Sequence, residues 1–273
     1  MTTGEDFLRT FHARLPAVTG DTFGRGRTAD GRSSYELLRD RVSGSRRVLE
    51  LGCGDGVLLE ALAEDDGRDG ACLAGVDLSP EALALAAARP ALAGTTLVEC
   101  RAQQLPFRDG SFDACVAHMA LMLMDEMEAV AAEAARVLAP GGTFACVVGG
   151  GAGGGEAYAL FLDLLRPLVH AMPASARVPA LGDRRTRTPG GFAQILGPAG
   201  FASFGWETVA LDLAGPVERV WEVVSSVYDV ATLDASVLAE LRRTFLSEAR
   251  KITPEGAPTP CVLHLQLATA RRQ

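Results

Sequence analysis

Residues 46–64 read RRVLELGCGDGVLLEALAE, an apolar run broken by Gly52-Cys53-Gly54-Asp55-Gly56 and then resumed with helical spacing. The pattern predicts a strand, a glycine turn and a helix. Glycine lacks a Cβ, so the backbone can turn sharply there and come close to a ligand. The first N–H groups of the following helix, unpaired within it, face the same point. A second strand-like run, ACLAGVDLSPEAL at 71–83, carries Asp77 where an acid can accept hydrogen bonds from both hydroxyls of a ribose. Strand, glycines, helix, strand and acid, in that order, describe a pocket for a nucleotide-type cofactor.

The rest of the chain repeats the alternation. Strands are expected at 47–51, 72–77, 95–100, 112–117 and 143–148, with helices at 57–64, 80–89 and 125–138. This predicts an α/β fold with a parallel sheet and helices on both faces. Such sheets bind ligands beyond the carboxyl ends of their strands, where Gly52, Asp77, Gln103 and His118 all fall. Residues 33–42 read as a helix capped by Ser33 or Ser34. The glycine run at 149–155 reads as a hinge before an inserted cap, followed by a helical segment. Strands at 203–212 and 262–268 would close the sheet, with helices within 216–249 lying over the acceptor side.

Composition narrows the partners. Of 273 residues, 48% are hydrophobic, enough for one large core in one α/β domain with insertions. A net charge of −8 argues against nucleic acid, because phosphate contacts need clustered Lys and Arg. No run approaches ~20 apolar residues, and the opening MTTGEDFLRT does not read as a signal peptide, so a soluble cytoplasmic protein without a membrane partner is expected. The cysteines at 53, 72, 100, 115, 146 and 261 contain no C-x-x-C pair and read as free thiols. No metal-ligand constellation is visible.

The successive segments VLELGCGDG, GVDLSP, AQQLPFRDGSFD and RVLAPGG, spread over residues 46–148, resemble the motifs of class I S-adenosylmethionine (SAM) dependent methyltransferases. The resemblance implies a Rossmann-like class I methyltransferase fold: a mostly parallel seven-stranded sheet with its last strand pair antiparallel, helices on both faces and a helical lid or cap. It implies SAM as cofactor and S-adenosylhomocysteine as product. Glu50, Gly52, Cys53, Gly54 and Asp55 would then face the methionine part, and Asp77 would take the ribose. Leu78 would lie against the adenine, with the backbone near Ala102 and Gln103 at its edge. One departure stands out: Arg101-Ala102 occupies a place where the family often carries Asp-Ala. Either Gln103 supplies a carbonyl acceptor there, or apolar contacts and backbone groups hold the adenine. On this reading residues 1–45 form an N-terminal lid, and 46–273 form the SAM-binding domain with cap insertions at about 151–200 and 214–258.

Methyl transfer needs alignment of the partners, a dry site and, for a hydroxyl acceptor, a route for the proton. His118, at the end of the fourth strand, either acts as that base or contacts the cofactor through its backbone while its ring bonds locally. His12 in the lid and Tyr228 in the last insertion are further catalytic candidates. The Met-rich run 118–124 is an apolar pocket wall or a core stripe. Trp206 and Trp221 line an acceptor site or anchor helices, and Arg184, Arg185 and Arg187 bind a substrate anion or lie solvated. The expectation is a methyltransferase acting on a small molecule, with O-methylation favoured, in secondary-metabolite or antibiotic biosynthesis, as a monomer or homodimer. Two alternatives stay open: an enzyme with the same SAM pocket that catalyses cyclisation or decarboxylation, and a non-catalytic binding protein.

Overall fold

β1 (Arg47–Leu51) is buried along all but its first residue, as a central parallel strand covered on both faces must be. In a computed structural model that describes residues 3–65, 70–153 and 156–273, it pairs in parallel with β2 (Cys72–Asp77) and β4 (Phe112–His118). β3 (Thr96–Glu99) and β5 (Leu138–Ala152) extend the parallel part to either side. β7 (Val262–Arg272) runs antiparallel between β5 and β6 (Phe201–Asp212), giving the order β3-β2-β1-β4-β5-β7-β6. The direction of winding reverses between β1 and β4, and crevices for ligands open at such switch points.

Three helices precede the sheet: α1 (Gly4–Arg14), α2 (Val18–Phe23) and α3 (Ser34–Arg41). Capping boxes start two of them, Thr3 with Asp6 and Ser33 with Glu36. α4 (Val57–Ala63) and α5 (Pro80–Ala87) follow β1 and β2, and α6 (Met127–Val137) precedes β5. α7 (Ala157–Ala171), α8 (Pro189–Leu196), α9 (Val217–Val224) and α10 (Ala235–Ile252) come later. One core joins side chains of α3, α4, α5, α7, α9 and α10 to one sheet face; the other joins α6 and α8 to the opposite face. Adjacent Val48 and Leu49 of β1 enter different cores, the period-2 alternation of a strand.

Three features depart from the sequence expectation. The glycine run expected as a hinge is strand as far as Ala152, because β7 continues the ladder opposite it, Gly149 to Leu265 and Gly151 to His264; residues 154–155 lie outside the described residues. α9 and α10 do not lie over the acceptor side. Their apolar faces bury Trp221 and Phe245 against Phe161 of α7 on the sheet, and only the 3-10 turn between them, Tyr228–Thr232, reaches the cleft. The stretch VTGDTFGRGRTADGRSS, whose glycines and polar residues read as turns, contains a short helix, α2.

Candidate functional site

At the switch point a cleft of about 1070 Å³, including its open mouth, is walled by the carboxyl ends of β1, β2 and β4, by α1, and by Tyr228. The glycine turn makes its floor. Gly52 has φ +68°, and a Cβ there would sit 2.5 Å from the Cβ of Ala120; Gly54 has φ +51°, and a Cβ there would meet no protein atom within 4 Å. The first glycine is thus needed for packing, whereas the second leaves open space beside the cleft.

Asp77 locks this turn to β2. Its Oδ2 accepts from the Gly54 N–H at 2.8 Å and its Oδ1 from the Ser79 N–H at 2.9 Å, leaving lone pairs on both oxygens for a diol. Glu50 lies deeper, 2% exposed, and its Oε2 has no partner. Burial, reinforced by the nearby charges of Asp77 and Asp55, raises its pKa well above the ordinary carboxylate range. Asp55 lines the cleft too, but its carboxylate is held by Arg89 at 2.6 Å.

The N-terminal helix lies across this rim. Arg9 donates to the Leu78 carbonyl at 2.8 Å and to Glu99 at 3.1 Å, and Glu5 pairs with Arg101. His12, also on α1, has Nε2 3.3 Å from Tyr228 Oη, and Phe7 and Phe11 meet the Tyr228 ring edge to face.

Residues 49–146 match the methyltransferase domain model, a stretch from β1 into β5 that carries the glycine turn, Asp77, Gln103 and His118. Residues 49–146 form a methyltransferase domain. A Mycobacterium tuberculosis protein of uncharacterised function is 34% identical over 125 residues, 41% of this chain and 46% of that protein. The fatty-acid O-methyltransferase of Mycolicibacterium smegmatis is 37% identical over 99 residues, 36% of this chain and 35% of that protein. The chain therefore spans less than half the length of the curated relatives it matches. Among solved structures, the [4+2]-cyclase SpnF superposes with a TM-score of 0.59 over 99% of this chain and 97% of that one at 20% identity, a likeness of fold.

The cleft residues fit SAM, the cofactor that a methyltransferase domain implies. The buried, unpaired oxygen of Glu50 suits the ammonium of the methionine part, and the open space beside Gly54 admits a chain that a larger residue would block. Leu78, Ala102 and Gln103 line the same cleft. Gln103 donates its amide N–H to the Asp125 carbonyl at 2.7 Å, which turns its own carbonyl oxygen free as an acceptor. Cys53 is buried, and burial pushes its thiol well up, so it packs in the methyltransferase domain as a neutral side chain.

The structure sorts the remaining candidates. His118 lines the cleft but is 4% exposed; its ring stacks on Tyr35 at 3.9 Å, and Nε2 is shared with Ser34 Oγ at 2.9 Å. Burial pushes its pKa down to about 3, so the ring is neutral and a weak base. Met119 and Met124 line the cleft, while Met122 turns into the core. Trp221 is core, and Trp206 bonds Gln266 on β7. The basic cluster is away from the cleft: Arg185 pairs with Asp183 and Glu128, and Arg187 donates to the Gly149 carbonyl. Sequence reasoning missed Glu5, Arg9, Ser34 and Tyr35. Their only signal was the i, i+4 spacing of Glu5 and Arg9 on the helix predicted to cover the site, which places both on one face.

Proposed function

We propose that this chain transfers a methyl group from SAM to a small-molecule acceptor, with oxygen the favoured acceptor atom. The unpaired, buried carboxylate oxygen of Glu50, at the base of a cleft whose rim Asp77 organises, supports the reading most strongly. SAM supplies an activated methyl carbon; the protein's part is to align the acceptor with it, exclude water and receive a proton. Alignment alone is worth about 7–11 kcal/mol. α1 across the rim and the apolar wall of Leu8, Pro16, Leu123 and Met124 serve water exclusion.

An acceptor oxygen is supported by the fatty-acid O-methyltransferase to which the chain is similar. The acidic balance of the chain favours a small molecule over nucleic acid. A tailoring role in secondary metabolism, a cytoplasmic location and a monomeric or homodimeric state belong to the same proposal. Among the described residues no helix is long and apolar enough to cross a membrane.

Calorimetric binding of S-adenosylhomocysteine to the wild type, Asp77→Ala and Gly54→Val tests the reading. Binding by the wild type and its loss in both variants is expected; near-normal affinity in both would overturn the site assignment. The cyclase likeness makes product mass the second check, since only transfer adds a methyl group and releases S-adenosylhomocysteine.

A further inference from the structure

Two buried side-chain polar atoms have no partner among the described residues, Glu50 Oε2 and His118 Nδ1, and both residues line the cleft. Buried polar groups are as a rule hydrogen-bonded, so two orphans in one cleft point to a ligand that supplies a partner to each. Their places in the sheet are related. Glu50 of β1 pairs in register with Val116 of β4, and His118 ends that strand two residues later. Asp77 ends β2, on the other side of β1. Asp77, Glu50 and His118 thus stand at the same end of three successive strands.

We propose that His118 and Tyr35 hold the carboxylate of the cofactor's methionine part, His118 through Nδ1–H and Tyr35 through Oη, with Ser34 as the positioning residue that fixes the His118 tautomer. The inference rests on the methyltransferase reading above. A cofactor with its ribose on Asp77 and its ammonium on Glu50 runs from β2 across β1. The carboxylate, borne by the same carbon as the ammonium, then comes to the β4 side. There His118 ends the strand, and the Tyr35 ring of α3 lies parallel to the imidazole, 3.9 Å away with 23° between the planes.

The hydrogen bonds decide which ring nitrogen carries the proton. Ser34 is fully buried, and among the described residues its hydroxyl meets His118 Nε2 alone, at 2.9 Å. A buried hydroxyl spends its proton on an acceptor. Ser34 therefore donates, Nε2 accepts, and the neutral ring keeps its own proton on Nδ1. With Nε2 turned toward α3, the opposite ring edge is the one that bears this N–H. Burial, with the nearby charges of Asp55 and Glu50, pushes the Tyr35 pKa up, so its hydroxyl is a neutral donor, and it has no hydrogen-bond partner among the described residues. Other donors of the cleft are committed elsewhere: Arg9 to the Leu78 carbonyl and Glu99 on the β2–β3 side, and Gln103 to the Asp125 carbonyl. An acid for the ammonium and two neutral donors for the carboxylate make this end of the cleft a reader of a zwitterionic amino acid.

Calorimetry on the full chain compares S-adenosylhomocysteine with two thioethers of adenosine: the aminopropyl analogue, which lacks only the carboxylate, and the carboxypropyl analogue, which lacks only the ammonium. The wild type is expected to bind S-adenosylhomocysteine about 100-fold tighter than the aminopropyl analogue, about tenfold for each of two hydrogen bonds to a charged group. His118→Phe, which keeps the stacked ring, and Tyr35→Phe should each cut that ratio about tenfold. Affinity for the aminopropyl analogue should stay near wild type in both, a pattern that general damage to the cleft does not produce. His118→Asn, which returns an N–H donor near the place of Nδ1, should restore the ratio, and Ser34→Ala, which frees the tautomer, should lower it. Glu50→Gln should instead weaken the aminopropyl analogue and spare the carboxypropyl one. Equal binding of S-adenosylhomocysteine and the aminopropyl analogue by the wild type, or a ratio unchanged in both His118→Phe and Tyr35→Phe, would overturn the proposal while leaving the methyltransferase reading intact. Failure of the wild type to bind S-adenosylhomocysteine would overturn both.

Discussion

Arg101, two residues past the end of β3, donates from Nε to Glu5 Oε1 of α1 at 2.7 Å and from Nη2 to Glu126 at 2.8 Å. The position at which the resembling family often carries an acid is used here to tie the N-terminal helix to the cofactor rim. The cleft therefore closes by charge as well as by apolar contact, and the side-chain carbonyl of Gln103 stays available as an acceptor at its wall.

Replacing Arg101 by Ala should loosen that closure with little effect on folding. The guanidinium is 40% exposed, and such pairs contribute about 0–1 kcal/mol. Expected outcomes are a thermal midpoint close to wild type, faster amide exchange within α1 and faster dissociation of S-adenosylhomocysteine by stopped flow. An unchanged dissociation rate would show that α1 does not retain the ligand.

The two glycines of the turn should separate folding from binding. Gly52→Ala places a Cβ 2.5 Å from Ala120 in a left-handed backbone, so overpacking of about 1–3 kcal/mol adds to the strain. Gly54→Ala meets no protein atom and costs only the backbone strain, about 1–2 kcal/mol. Gly54→Ala should fold yet lose cofactor affinity, and Gly52→Ala should lose stability first. Urea unfolding beside calorimetry reads both quantities.

Glu50 makes the stability of the protein sensitive to pH. Its folded pKa lies well above its ordinary value of 4.5, so the native state binds the extra proton and the unfolded chain does not. The stability due to that proton is fully present below the unfolded value and is lost as pH rises through the folded one. The thermal midpoint of the unliganded protein should fall across that window, and Glu50→Gln should flatten the slope while weakening SAM binding. An equal slope in the variant would contradict the assignment.

His118 should remain silent in titration. With its pKa pushed to about 3, the imidazole stays neutral from pH 5 to 8 in a histidine-resolved NMR titration. The sign is that of a depressed base: its contribution to stability is present above its unfolded value of 6.5 and is lost as pH falls through about 3. A His118 resonance moving near neutrality would return it to the list of proton acceptors.

The parallel core and the glycine-turn side of the cleft were legible because local chemistry dictates them. Gly52 and Gly54 need a left-handed backbone, Asp77 closes a run of strand residues, and β1, β2 and β4 announce themselves as short apolar segments. The side of the cleft closed by α1 and Tyr228 was not legible to the same degree. The contacts of Glu5 with Arg101 and of His12 with Tyr228 join residues 96 and 216 positions apart, so no local spacing records them. The glycine run at 149–152 misled for a related reason: its strand state depends on β7, more than a hundred residues later. His118 was placed correctly at the end of β4, but Ser34 and Tyr35, which set its chemistry, lie on a helix before the sheet.

A cleft built for SAM beneath α1 should be stabilised by SAM and its product and by no other nucleotide cofactor. Thermal unfolding of the full chain with SAM, S-adenosylhomocysteine and NAD in turn tests it most directly, because a ligand at ~100 times its dissociation constant adds about 2.7 kcal/mol of stability. Stabilisation by the first two and none by NAD is expected. No shift with either SAM or S-adenosylhomocysteine, or a shift with NAD alone, would contradict it.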